Sequence, residues 1–215
     1  MKVIAINASP RKNFSTAKLL ESALEGAASA GAETKLVHLI DLDFKGCTSC
    51  FACHRKNNPQ KYHCMYKDDL TPILREIEES DAVIIGSPIY IGDVTALARA
   101  LQERLIFQYV SYNEMKKDTT MFNGKVNAGY IFVMNCPEVF AKEAHKYVFD
   151  NTMADLSKLG GTTECMMVNE TYQFDDYSKY ECAMFDVDER TRIRDEEFPK
   201  KLQEAFELGK RLALA

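Results

Sequence analysis

Short apolar runs alternate with helical stripes along the whole chain. KVIAI at 2–6 is apolar and rich in β-branched residues, and it reads as a buried strand. Over 15–30, Leu20, Leu24 and Ala27 recur at helical spacing, and Gly31 suits the position just past a helix end. KLVHL at 35–39 predicts a second strand. Asp68 or Asp69 caps a predicted helix running to about Glu79, with Ile73 and Ile77 on one face. DAVIIGSP at 81–88 is the clearest buried strand. A helix follows at 94–105, with Val94, Leu97, Leu101 and Leu105 on one side. A strand is predicted at 126–134, a helix at 138–158 and a last strand at 162–168. FPKKLQEAFELGKRL closes the pattern as a helix that aligns Phe198, Leu202, Ala205 and Gly209.

This β-α alternation implies parallel strands joined by crossover helices. The expected fold is α/β: a flavodoxin-like, doubly wound, five-stranded parallel sheet with helices on both faces, forming one domain over 1–215. Three stretches exceed simple connections: a cysteine-rich loop at 45–66 and two aromatic-rich inserts at 107–125 and 170–195. The inserts are expected to cover an open sheet edge, or to form a subunit interface or a lid.

Charge and composition narrow the function. A formal net charge of −5 argues against a dominant nucleic-acid surface, which needs a concentrated basic field. No apolar stretch approaches the roughly 20 residues that span a bilayer, and MKVIAINASP lacks the form of a secretory signal. The expectation is a cytoplasmic chain with no membrane partner, whose thiols are reduced.

Ligands of open α/β sheets sit beyond the carboxyl ends of the strands. The loop leaving the first strand offers the Ser9, Ser15 and Thr16 hydroxyls, the Arg11 guanidinium and free N–H groups at a helix start. Those are the parts of a phosphate-monoester cradle. The alternative is an ordinary polar loop with Ser15 as helix cap. The loop leaving the third strand, GSPIYIG at 86–92, places Pro88, Ile89, Tyr90, Ile91 and Gly92 where a planar heterocycle can lie against a flat ring and a turn backbone. The alternative there is a tight turn around a core tyrosine.

SPRKNFST after the first strand and GSPIYIGDVTALARALQERL after the third resemble the NADPH-dependent FMN reductase and iron–sulfur flavoprotein group of flavodoxin-like proteins, over roughly residues 1–135. The resemblance implies FMN. It implies phosphate contacts at Ser9, Arg11, Ser15 and Thr16, and ring contacts at Pro88, Ile89, Tyr90, Ile91 and Gly92. A third loop, with Asn135, is implied on the ring's other side, although Asn-Cys-Pro replaces the small glycine-rich turn expected there.

The four cysteines of the loop are spaced Cys47-x2-Cys50-x2-Cys53-x10-Cys64. Two consecutive C-x2-C steps suit a [4Fe-4S] cluster, which takes three close ligands and a fourth from nearby. Zinc, with His54 or His63 available, and a metal-free loop are the alternatives. The resemblance leaves the choice open, since the last gap is longer than the iron–sulfur pattern. Cys165 is expected in the core and His38 in a structural role.

Two functions follow as expectations. One is an FMN-dependent oxidoreductase that takes electrons from NADPH or NADH and passes them to a small-molecule or protein acceptor. Its chemistry lies on FMN, so no side-chain catalytic acid or base is required. The other is an electron carrier using FMN with the cluster. A homodimer or homotetramer is expected to shield the flavin.

Overall fold

The computed structural model describes residues 1–113 and 120–215, so the expected insert at 107–125 lies partly outside the described residues. The chain runs β1 (Lys2–Asn7), α1 (Ser15–Ser29), β2 (Glu33–His38), α2 (Leu70–Glu78), β3 (Ala82–Tyr90), β4 (Asp93–Val94) and α3 (Ala96–Phe107). It continues through β5 (Val126–Val133), α4 (Glu138–Ala144), α5 (Lys146–Leu156), β6 (Gly160–Val168), α6 (Val187–Arg192) and α7 (Phe198–Leu214).

Five parallel strands stand in the order β2-β1-β3-β5-β6. The chain moves outward from β1 to β2, then crosses to β3 on β1's other side. The carboxyl ends of β1 and β3 are therefore the switch point of a flavodoxin-like sheet, where a crevice opens. Helices cover both faces. On one, Leu74 and Ile77 of α2, Leu101 and Leu105 of α3 and Phe149 of α5 pack on Ile4, Ile6, Ile85, Tyr130 and Phe132. On the other, α1 and α7 pack on Val3, Ala5, Ile84, Ile131 and Val133. Alternate residues of one strand serve opposite layers, which is why these strands read as continuous apolar runs. Helices α1 and α7 touch at backbone distance: a Cβ at Gly26 would collide with the Phe206 carbonyl, and one at Gly209 with that of Ala23.

Several expectations are corrected. β3 runs on to Tyr90 and turns back as β4, an antiparallel sixth strand pairing Ile89 with Val94 and Tyr90 with Asp93. Val94 therefore belongs to a strand, and the helix after it starts at Ala96, capped by Thr95 Oγ1 accepting from the Ala98 N–H at 3.1 Å. The two turn residues, Ile91 and Gly92, both have positive φ (52° and 81°), as a tight type I′ hairpin requires. Ser15 is the first residue inside α1, not its cap; Phe14 holds the capping position. The helix expected at 138–158 is two helices, broken where His145 leaves helical dihedrals and sets its ring against Phe140 and Phe149. Cys165 lies on the edge strand β6 and is exposed. The insert at 170–195 does not pair along the sheet. Residues Thr171–Gln173 fold back over the switch point, and α6 precedes a π-helical turn, Ile193–Glu197, that runs into α7.

Candidate cofactor site

The loop from β1 is shaped by its own backbone and side-chain bonds. Asn7 is buried: its Oδ1 accepts from the Ser9 N–H at 3.0 Å, and its Nδ2 lies 2.9 Å from His38 Nδ1. Ser9 Oγ in turn accepts from the Arg11 N–H at 3.1 Å. This Asx-type chain of bonds turns the backbone sharply into α1, whose first turn contains no acidic residue. Thr16 is buried there and Ser15 half-buried. The free N–H groups of a 15-residue helix thus face the crevice with two hydroxyls beside them, an arrangement suited to a phosphate.

Ser9, Arg11, Ser15, Thr16, Pro88, Ile89, Tyr90 and Asn135 line one crevice of about 110 Å³, together with Thr171, Tyr172 and Gln173. Eight of the ten residues expected to hold the cofactor therefore converge, from three loops. Ile91 and Gly92 do not join them. The hairpin turn carries Ile91 fully into solvent, and Gly92 faces the His145 ring instead. Arg11 lines the crevice, with Nη1 donating to the Gln173 carbonyl at 2.7 Å and its guanidinium 4.0 Å above the Phe14 ring. Asn135 Nδ2 donates to Gln173 Oε1 at 2.6 Å. Asn135 Oδ1 is buried and has no partner among the described residues. A buried acceptor without a donor costs about 1–3 kcal/mol, so it favours a ligand bearing hydroxyl or N–H groups. FMN carries a phosphate for the α1 end and ribityl hydroxyls and a ring N–H for such an acceptor, and the residues present fit it.

Gln173 was not legible as a site residue: it lies 162 positions from its partner Arg11, and nothing in its local sequence marks it. The same holds for Thr171 and Tyr172.

The cysteine loop stands beside α3. Cys47, Cys50, Cys53 and Cys64 line one small pocket with Phe51, Tyr66, Arg104 and Phe107. Among the described residues, no three His, Cys, Asp or Glu side chains are placed to share a metal ion. The four thiols thus converge without closing into a chelate. Cys53 is buried, and burial foremost, then the neighbouring Cys64, pushes its thiol up to about 11. Ser49, Phe51 and Tyr62 all hold left-handed φ, between 53° and 65°. Such backbone costs about 1–3 kcal/mol per residue and tends to be kept where function requires it.

Arg104 holds this loop in place. Its side chain is 1% exposed and forms an ion pair with Asp68, also buried. Nη2 donates to Thr71 Oγ1 at 2.8 Å, Nη1 to the Lys45 carbonyl at 3.2 Å and Nε to Cys64 Sγ at 3.4 Å. Burial works against the Asp68 carboxylate, yet the bonds from Arg104 and from the Lys45 and Thr71 backbones hold its pKa below the ordinary value. Gln108 Oε1 takes the Cys64 N–H at 2.6 Å, and Glu103 Oε2 the Cys47 N–H at 3.1 Å. The signal was present in the sequence: Leu101, Arg104, Leu105 and Gln108 fall at i, i+3, i+4 and i+7, so Arg104 within α3 and Gln108 just past its end interrupt the buried stripe.

Residues 1–136 match the model of the NADPH-dependent FMN reductase family. The chain belongs to that family. Relatives with sequence similarity include an iron–sulfur flavoprotein of Archaeoglobus fulgidus, 39% identical over 104 residues, or 48% of each chain. An iron–sulfur flavoprotein of Methanosarcina thermophila is 31% identical over 106 residues, 49% of this chain and 53% of that one. The alignments thus span about half the length of these relatives. Among solved structures, an NAD(P)H:quinone oxidoreductase from Methanothermobacter marburgensis superposes with a TM-score of 0.68 at 15% identity, covering 99% of this chain and 98% of that one. An FMN-dependent NADH-azoreductase from Bacillus anthracis, in complex with FMN, gives 0.67 at 14% identity and 99% of both chains. At those identities the likeness is one of fold.

Proposed function

We propose that this chain is an FMN-dependent oxidoreductase that passes electrons from a reduced nicotinamide nucleotide through FMN to a separate acceptor, a small molecule or a protein. The observation that carries the reading is the convergence of loops from β1, β3 and β5 on one crevice at the switch point, with an orphaned Asn135 acceptor inside it. Bound FMN supplies the two-electron chemistry. The residues of the chain position it. Ser9, Ser15, Thr16 and the start of α1 would take the phosphate, and Arg11, released from Gln173, can turn onto it. Pro88, Ile89 and Tyr90 form an apolar wall for the ring, and Tyr90 stays 43% exposed at the mouth. Among the described residues that line the crevice there is no carboxylate or imidazole, which suits a reaction needing only stacking within about 3–3.5 Å. The test is anaerobic addition of NADPH, then NADH, to FMN-loaded protein. Bleaching of the yellow colour is expected, and a protein that stays oxidised with both refutes the reading.

A second reading is favoured by the thiol pocket. The support is the Cys47-x2-Cys50-x2-Cys53-x10-Cys64 spacing and the lining of one pocket by all four cysteines. As placed they do not form a chelate, so an iron–sulfur centre working with FMN as an electron carrier would require the thiols to draw together. Iron and sulfide analysis after oxygen-free purification decides it. Near-stoichiometric amounts support the carrier, and their absence removes it.

We further propose a cytoplasmic homodimer or homotetramer. No helix among the described residues is long and apolar enough to cross a membrane. Exposed Ile91, Val139, Phe140 and Tyr147 offer apolar surface near the β3–β4 turn and on α4 and α5. A monomer by light scattering at micromolar concentration overturns the oligomer.

A further inference from the structure

Asn7 ends β1 and His38 ends β2, and the two stand in parallel register at the carboxyl edge of the sheet. Strand alternation sets both side chains on the face covered by α1, with Val3, Ala5 and Leu36. Asn7 is fully buried, so its amide has no solvent to turn to. Its orientation is fixed from one side. The Ser9 N–H can only donate, so the atom it meets at 3.0 Å is Oδ1. Nδ2 therefore faces His38 Nδ1, 2.9 Å away, and that ring nitrogen must accept. A ring nitrogen accepts only when it carries no proton. The contact thus selects the neutral imidazole with its hydrogen on Nε2.

From that contact a chain of bonds runs to the crevice. Asn7 Oδ1 holds the Ser9 N–H, Ser9 Oγ holds the Arg11 N–H at 3.1 Å, and Ser9 and Arg11 line the crevice. His38 is not part of the lining and acts only through Asn7. A proton on Nδ1 turns the acceptor into a second donor. Asn7 can meet it only by exchanging its oxygen and nitrogen, which sets Nδ2 against the Ser9 N–H and opens the turn. No fixed charge competes for the ring. Lys12, on the loop from β1, and Asp41, just past β2, pair with each other at 2.7 Å. Lys18 and Glu21, the charged residues of the first two turns of α1, are exposed. On the other face of β2, Lys35 pairs with Glu76 of α2. Among the described residues the side-chain hydrogen bond of His38 is the one to Asn7, and no ion pair reaches it.

We propose that His38 is a positioning residue for the cofactor: neutral, it holds Asn7 and so keeps the phosphate-side loop in the shape that takes FMN, and protonated it releases that loop. This role rests on the FMN reading of the crevice. FMN affinity is then full on the alkaline side and falls as pH drops through the protonation of His38, within the span of about pH 5–8 where histidine changes charge.

The test is fluorescence titration of FMN into apoprotein between about pH 8 and about pH 5.5. The phosphate monoester itself gains a proton near about pH 6, so all variants share that component and the comparison lies between them. His38→Asn puts an Oδ1 acceptor where Nδ1 stood, and it does not titrate. Wild type should lose about tenfold more affinity over the range than His38→Asn. His38→Leu offers no acceptor and should bind FMN about tenfold more weakly already at pH 8, with His38→Asn recovering the loss. Parallel pH curves for wild type and His38→Asn overturn the proposal. A second readout needs no variant. Nitrogen-15 NMR of the wild-type ring should show the Nε2–H form at about pH 8, and FMN should make His38 about tenfold harder to protonate, since coupling is reciprocal. A ring with its hydrogen on Nδ1 overturns the proposal, as does a His38 that takes its proton more readily with FMN bound, the sign of direct contact with the phosphate. If FMN binds at no pH, the flavin reading fails and this role with it. If FMN binds with parallel curves, only the role of His38 fails.

Discussion

Arg11 donates an Nη1 hydrogen bond to the Gln173 carbonyl at 2.7 Å and so fastens the loop after β1 to a segment of the C-terminal insert. The same glutamine takes Asn135 Nδ2 on its side chain. One residue therefore bridges two of the three loops around the crevice.

Replacing Arg11 by alanine removes both this bridge and the one guanidinium that lines the crevice among the described residues. A charge-assisted hydrogen bond is worth about 1.5–3 kcal/mol, so FMN affinity should fall about tenfold or more. Flavin fluorescence titration checks this. Arg11→Lys should recover part of the loss, because it keeps the charge without the planar fork.

Asp68→Asn keeps the acceptor that caps α2, where Oδ1 takes the Leu70 and Thr71 N–H groups, but removes the charge facing Arg104. Leaving a buried guanidinium unpaired should cost about 3–5 kcal/mol at neutral pH. The folded-state pKa of Asp68 is depressed. Its stabilisation is therefore present above the unfolded carboxylate value and is lost as pH falls through the folded value. Urea unfolding at a series of pH values should show the wild-type and Asp68→Asn curves converging on the acid side.

How much of this was legible follows the range of the interactions. β3 is buried on both faces, so its apolar run announced it, and Leu20, Leu24 and Ala27 announced α1 through helical period. The β3–β4 hairpin left no such mark: two residues per arm carry no periodicity, and Ile91 contradicts the turn it occupies. That Ser9, Arg11, Ser15 and Thr16 line the crevice was legible because they are near one another in sequence and adjoin a strand end. The opposite wall was not, since Thr171–Gln173 reach the crevice only through tertiary packing. Arg104 and Gln108 went unread although they break a buried stripe, and their partners left no sequence signal at all.

Ile91 sits at φ 52° with its side chain fully exposed, a costly conformation for a β-branched residue. Ile91→Asn suits a type I′ turn and should stabilise the protomer by about 1 kcal/mol. For a chain of this size that is a melting-temperature rise of about 2–4 °C, measurable by calorimetry.

Gly209→Ala should do the reverse. The added methyl meets the Ala23 carbonyl, a backbone atom that cannot swing aside. Overpacking typically costs about 1–3 kcal/mol, and this contact should reach the upper end, lowering the melting temperature by about 6–12 °C. Gly31→Ala is the control for helix termini: nothing lies within 4 Å, so only its φ of 89° is penalised.

The wall at Thr171–Gln173, and α7 with Leu212 against Gly129, have a consequence for biosynthesis. A nascent chain that has emerged only to Cys136 already displays the loops after β1, β3 and β5, yet one flank of β5 is bare and the prosthetic group would meet an open trough. The segment matched by the family model thus supplies three loops of the crevice but not the wall that completes it, so a chain cut at Cys136 should hold flavin far more weakly than one that includes Thr171–Gln173.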